Sequence, residues 1–312
     1  MQARRNKLLM ISLAAMVAIT AVVWLLRGRN ESVAIDKSIF KDFDVQSIDR
    51  VDLKSSGQQI NLKYDGSRWT VNDQYAADPA MIEVLFATIV QAVPKRPVPA
   101  ARQDSIATLL RERGVQVTLH AGNTELETFS AGGNAAKTQA WFLRSDQKIP
   151  YLMTIPGYRV YVSGVFELNE SGWRDKRIFA FNWRLNFQDL ETTYLRNKED
   201  NFRVSLKDQM LTVQGLNVVD SARLNQYLND VSQLSADEFV AANASLDSLK
   251  KTQPVMSVAV RDVGRTYSLN PFPYTDNKGR VAGLLNGTQW AMFNRQSVSS
   301  ISRPRRFFEP RP

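Results

Sequence analysis

The chain contains no cysteine and a single histidine, His120, among its 312 residues. Without thiols there is no disulfide framework, no thiolate zinc site, no cysteine nucleophile and no lipid-modified cysteine. One imidazole excludes every site that needs two. Acids are outnumbered, and the net charge is +9, but the excess is local. Residues 1–30 hold Arg4, Arg5, Lys7, Arg27 and Arg29 and no acid, +5, which leaves thirty-five bases against thirty-one acids, +4, for residues 31–312. So balanced a body lacks the clustered bases that neutralise a polyphosphate backbone, and no nucleic-acid partner is expected. What is present, 44% hydrophobic and 23% charged residues, is the composition of a folded protein. The length allows two domains, or one built from a duplicated unit, at roughly 150 residues per domain.

Charge is missing altogether from residues 8–26, nineteen residues whose only hydroxyls are Ser12 and Thr20. As a helix this run is about 28 Å long, against roughly 30 Å of bilayer hydrocarbon. It predicts one transmembrane crossing, with a tail over 1–7 and a juxtamembrane linker over 27–44. Arg4, Arg5 and Lys7 before the run, with Trp24 and Arg27 at its exit, are the expected interface residues, and the basic flank favours a cytoplasmic amino terminus. A cleaved signal peptide is the competing reading. Its apolar region is shorter and ends in small side chains, whereas this run ends in Val22, Val23, Trp24, Leu25 and Leu26.

Beyond the anchor, alternation at Ile48, Val51, Leu53, then Ile60, Leu62, Tyr64, then Trp69, Val71, with Asp65-Gly66 as a turn, predicts short antiparallel strands. Asp78 and Pro79 are a helix start. Ile82, Leu85, Phe86 and Ile89 form one apolar stripe, and Pro94, Pro97 and Pro99 end it. The pattern returns 142 residues later: Val71 with Val213, Asp78 with Asp220, the stripe with Leu224, Tyr227, Leu228 and Val231, and Leu53 with Leu195. After each helix come further strands, at 115–119, 126–129 and 140–143, then at 255–260, 266–269 and 290–293. The expectation is an α+β protein: a single amino-terminal transmembrane helix followed by a duplicated body of antiparallel strands with one main helix per repeat. The lobes span 45–153 and 190–302, joined by a linker over 154–189 and followed by a basic and aromatic tail over 303–312.

These residues resemble the domain of unknown function 4340 family of anchored bacterial envelope proteins. The resemblance rests on Asp65, Gly66, Trp69 and Val71, on the helix start at Ala77 and Asp78, and on Trp173, Arg174, Asp175, Lys176 and Arg177 before Ile178 and Phe179; it covers most of residues 45–300. Members are often encoded beside ABC transporter subunits and auxiliary proteins of the gliding-motility type. The resemblance therefore implies a single-pass protein of the bacterial inner membrane with its main body in the periplasm and an ABC permease or auxiliary subunit as partner. It supplies no catalytic residue.

The residues themselves supply little chemistry. His120 follows Val115, Val117 and Leu119 on the opposite face of a strand, which directs it to solvent, and no Gly-x-Ser-x-Gly elbow accompanies it. Asp276, Asn277 and Gly279 lack the twelfth-position acid of a calcium loop and read as a turn. Catalytic, cofactor and metal residues are thus expected to be absent. Two basic and aromatic clusters are the candidate partner-binding residues: Trp173, Arg174, Lys176 and Arg177, and Arg303, Arg305, Arg306, Phe307 and Phe308. For the first, the alternative is a linker whose aromatics fill a core; for the second, a frayed tail. The expected role is a noncatalytic accessory or scaffold subunit of an envelope ABC-type complex, with a lipid- or glycan-binding module as the alternative and a carboxylate hydrolase third.

Overall fold

The structure, a computed structural model, describes residues 13–22, 36, 39–40, 43–179, 187–207, 210–263 and 265–310. Residues 13–22 are helical (α1). No helix among the described residues is long and apolar enough to cross a membrane. The predicted span 8–26 runs past the described stretch at both ends, and Arg4, Arg5, Lys7, Trp24 and Arg27 lie outside the described residues.

The first lobe contains β1 (Arg50–Lys54), β2 (Gln59–Tyr64), β3 (Trp69–Val71), β4 (Tyr75–Ala76), α2 (Pro79–Gln91), β5 (Val93–Pro97) and α3 (Ala100–Arg113). It continues through β6 (Val115–Ala121), β7 (Thr124–Gly133), β8 (Ala140–Arg144), β9 (Tyr151–Thr154) and α4 (Glu170–Trp173). The second lobe contains β10 (Phe187–Thr193), β11 (Phe202–Lys207), β12 (Met210–Val213), α5 (Ser221–Ser232), β13 (Glu238–Val240) and α6 (Ala244–Leu249). It closes with β14 (Ser257–Asp262), β15 (Arg265–Thr275), β16 (Val281–Leu285), β17 (Gln289–Phe293) and α7 (Arg295–Ile301). Each lobe forms one sheet, and every pairing is antiparallel.

The strand orders are the same. The first sheet runs β4-β3-β2-β1-β6-β7-β8-β9-β5, and the second β12-β11-β10-β14-β15-β16-β17-β13; removing the two-residue edge strand β4 makes them correspond one to one. The protein is α+β with two antiparallel sheets built on one repeated plan.

The helices repeat in detail. Asp78 caps α2 by accepting from the Ala80 N–H, and Asp220 caps α5 by accepting from Ala222 and Arg223, satisfying donors that a helix start leaves open. The buried stripe is Ile82, Leu85 and Ile89 in α2 and Leu224, Tyr227, Leu228 and Val231 in α5. Each such residue stabilises its lobe by about 1.5–3 kcal/mol through removal from water.

Two expectations need correction. Leu195 is exposed beyond the end of β10, and it is not the partner of Leu53. Strand register instead matches Val51–Leu62 with Leu190–Val204, and Leu53–Ile60 with Thr192–Phe202. Nor is α2 the only long helix of the first repeat: α3 has fourteen residues and packs Ile106, Ala107 and Leu110 against Trp141 and Leu143 on the sheet face opposite α2, whereas α5 stands alone in the second. It was hidden because only three of its side chains are buried. The proline run after α2 also forms a strand, β5, on the sheet edge, where a missing N–H breaks no ladder.

The corrected register exposes a polar exchange in the core. Where the first lobe has Leu53 and Leu85, the second has Thr192 and Tyr227, both buried and sharing a 3.0 Å hydrogen bond. Tyr227→Phe alone should cost about 1–3 kcal/mol by orphaning the threonine hydroxyl, while adding Thr192→Val should recover most of that loss. A double-mutant cycle in urea reads the coupling. Strict additivity would contradict it.

Candidate functional site

The two lobes meet at the segment that follows α4. Its backbone bridges both sheets' ends: Ala77 pairs with Arg174 and Arg177 with Ser235. The Asp175 N–H donates to Ala76, and the Ala236 N–H donates to Lys176. Extended backbone at this point thus satisfies first-lobe and second-lobe groups in turn, which fixes the lobes through main-chain bonds that no side-chain change removes.

Arg174 is the central side chain. It is 7% exposed, and its guanidinium lies between two rings, 3.5 Å from the Tyr75 centroid on the first lobe and 3.8 Å from the Phe239 centroid on the second. Glu170 approaches it at 3.7 Å, and it donates to Gln289 Oε1 at 3.4 Å. Burial lowers its pKa, opposed by Tyr75 and Glu170. A flat, weakly hydrated cation fits this slot, and an ammonium would lose the double stack. The Phe239 N–H donates to Ser171 Oγ, and Lys176 Nζ donates to the Asp237 carbonyl. On one side of the clamp is a cavity of 190 Å³ bordered by Asp175, Arg177 and Tyr267; on another is one of 300 Å³ bordered by Gln58, Asn169 and Gln289.

The predicted clusters divide by burial. Trp173 is fully buried in the first core, while Ile178 and Phe179 are buried in the second. The segment expected as a linker is therefore shared between the two cores, since Val162, Val165 and Phe166 also pack in the first. Arg177 is exposed and held by Asp175 at 2.6 Å, which raises its pKa. At the other end Phe308 is fully buried against Phe202 and Tyr227. Phe307 meets Phe308 edge to face, with Arg303 5.0 Å from its ring. Arg305 covers Gly215, whose φ of +85° is a left-handed turn, and Arg306 is exposed.

The clusters are equivalents rather than halves of one surface. The Asp78 N–H donates to the Trp173 carbonyl, and the Asp220 N–H to the Phe308 carbonyl, each at 2.8 Å. In both lobes a returning aromatic plugs the core and ties down the start of the main helix. The pattern of strands and helix did not reveal this, because the two plugs arrive through different local structures, α4 in one case and a short 3₁₀ turn at Arg305–Phe308 in the other.

The family decides itself on the same segments. A family model described as Domain of unknown function (DUF4340) matches residues 69–254. The chain belongs to the DUF4340 family. No curated protein matches it. The DUF4340 match begins at β3, passes through the clamp at Arg174, and ends after α6, so it takes in the main helix of each lobe and the junction between them.

His120 is not at solvent. It is 9% exposed, because Arg50 and Asp52 on the neighbouring strand cover it. Arg50 Nη2 lies 2.9 Å from Nδ1, and Asp52 Oδ2 lies 2.9 Å from Nε2. A guanidinium only donates, so Nδ1 accepts and Nε2 carries the hydrogen to Asp52. Asn61 holds the other Asp52 oxygen at 2.6 Å. Both ring nitrogens are thus occupied. On the same sheet face a cavity of 410 Å³ opens beside the end of α3, lined by Lys54, Arg111, Gln116, Ser130, Leu110 and Leu143. Among the described residues no group of three or more His, Cys, Asp or Glu side chains is arranged to hold a metal ion. Asp276 is taken up in a turn, accepting from the Lys278 and Arg280 N–H groups and from Arg280 Nε.

Proposed function

We propose that this DUF4340 protein is a noncatalytic, membrane-anchored scaffold, an accessory subunit of a bacterial envelope ABC-transporter-type complex, with its amino terminus in the cytoplasm and its lobes in the periplasm. The observation that carries the anchor is α1. All ten residues are exposed, from Leu13 to Val22, with Leu13, Met16, Val17, Ile19 and Val22 at 54–70%. Its one polar side chain, Thr20, returns its hydroxyl to the Met16 carbonyl at 2.8 Å, the arrangement that hydrocarbon demands of a hydroxyl. Such a surface is stable in lipid and unfavourable in water.

The scaffold part rests on the junction. Backbone bonds and Arg174 hold two lobes as one body, and the occupied nitrogens of His120 offer nothing to a substrate. ABC-type partnership comes from the family's character. A lipid- or glycan-binding module is the second reading, favoured by the 410 Å³ polar cavity beside α3.

Alkaline extraction of membranes carrying the full chain tests the anchor. The wild type should stay in the pellet and float with lipid, whereas Val17→Arg with Ile19→Arg, costing about 2.5–3.5 kcal/mol each at a helix centre, should release it. Wild-type protein washed into the supernatant would contradict the anchor.

A further inference from the structure

The equivalent helices α2 and α5 differ on their outer faces. At matching positions 142 residues apart, Val84, Ala87 and Val90 of α2 stand where α5 has Gln226, Asn229 and Ser232. Val84 is 45% and Val90 49% exposed. Glu83 is the only charged side chain on α2. A helix apolar on both faces has a second apolar surface to cover, and α5 shows that the fold itself does not require one. The patch continues onto aromatics: Phe86 meets Trp69 at 5.4 Å, and Trp69 meets the exposed Tyr64 at 5.8 Å. At its other end α2 leads into β5, which presents Lys95 and Arg96 to solvent.

The tether enters on the same side. Phe40 is buried in the core that α2 covers, edge-on to Phe129, Phe142 and Tyr151. Arg144 donates to the Ile39 carbonyl at 2.9 Å and pairs with Glu127 at 3.2 Å. Tyr151 belongs to β9, the partner of β5. Thirteen residues separate position 26 from Ile39, a reach of at most about 45 Å, so an anchor over 8–26 would keep the first lobe within that distance of its bilayer.

We propose that the outer face of α2, with Trp69, Tyr64, Lys95 and Arg96, seats the first lobe on the surface of that bilayer, aliphatic side chains among the acyl boundary and the two bases on anionic headgroups. This rests on the anchor reading above. Apolar side chains, interfacial Trp and Tyr, and basic flanks are the chemistry of a helix lying in a membrane interface.

Since the chain lacks cysteine, single nitroxide labels test this in the full protein, reconstituted in vesicles of phosphatidylcholine with a minority of phosphatidylglycerol. A label at Val84→Cys should collide severalfold less with an aqueous nickel chelate, and more with oxygen, than a label at Gln226→Cys. With the label at Ala80→Cys, installing Val84→Gln, Ala87→Asn and Val90→Ser, which α5 already tolerates, should return it to water without lowering the melting temperature. A label at Val17→Cys reads the anchor separately. If that label lies in lipid while Val84→Cys behaves like Gln226→Cys, the seat is overturned and the anchor stands. If the Val17→Cys label is in water, the anchor reading fails first. Shielding of Val84→Cys from both reagents, with crosslinking between copies, would assign the face to a second chain and overturn the bilayer.

Discussion

Replacing Arg174 by alanine is expected to split thermal unfolding of the protein into two transitions. Each lobe has its own sheet and core, and the side chain joining them is a guanidinium held between Tyr75 and Phe239. Desolvated cation–π contacts are worth up to about 2 kcal/mol each, so the substitution should remove about 2–4 kcal/mol of coupling. The backbone bridges at Ala77 and Ser235 remain, so the lobes should separate in stability rather than in space. Arg174→Lys should recover little, because an ammonium cannot stack on both rings. Calorimetry decides: one transition with an unchanged midpoint would show that the clamp contributes nothing. The same burial means that charge reversal at Arg174 would disturb the fold, so partner contacts are better probed at Arg177 and Arg306, which are exposed.

Phe308→Ala should destabilise the second lobe by about 3–5 kcal/mol, the usual cost of emptying a fully buried phenylalanine site. The ring lies 4.9 Å from Phe202 and 5.3 Å from Tyr227, and its carbonyl accepts the Asp220 N–H that starts α5. Hydrogen exchange should rise throughout α5 and β10–β12 while α2 and β1–β3 stay protected. Trp173→Ala should produce the mirror result in the first lobe. Loss confined to the last few residues would mean that the terminal segment is an appendage and that the plug correspondence is false.

How much was legible follows from where the physics is local. The caps at Asp78 and Asp220 and the stripes behind them are periodic and keep their spacing, so the duplication could be read from residue types alone. The first strand could not. Leu62 lies eleven residues after Val51 but Val204 fourteen after Leu190, and the longer turn moved the true partner of Leu53 from Leu195 to a buried threonine. His120 obeyed the alternation expected of its strand, yet it is buried because Arg50 and Asp52 reach across from the neighbouring strand, and cross-strand cover is invisible along one segment. A frayed tail was the alternative for the carboxyl-terminal cluster, yet Phe308 is fully buried. The paired phenylalanines were the available signal, because two adjacent rings in water are costly. Arg174 was singled out for its basic and aromatic neighbours, but its ring partners lie ninety-nine and sixty-five residues away.

The scaffold reading meets its most direct test in the native membrane. The protein would be crosslinked in place, purified in mild detergent, and its companions identified and quantified by mass spectrometry. An ABC permease or auxiliary membrane subunit recovered in near-stoichiometric amount is the predicted result. A monomer carrying only lipid or glycan would contradict it and turn attention to the cavity beside α3.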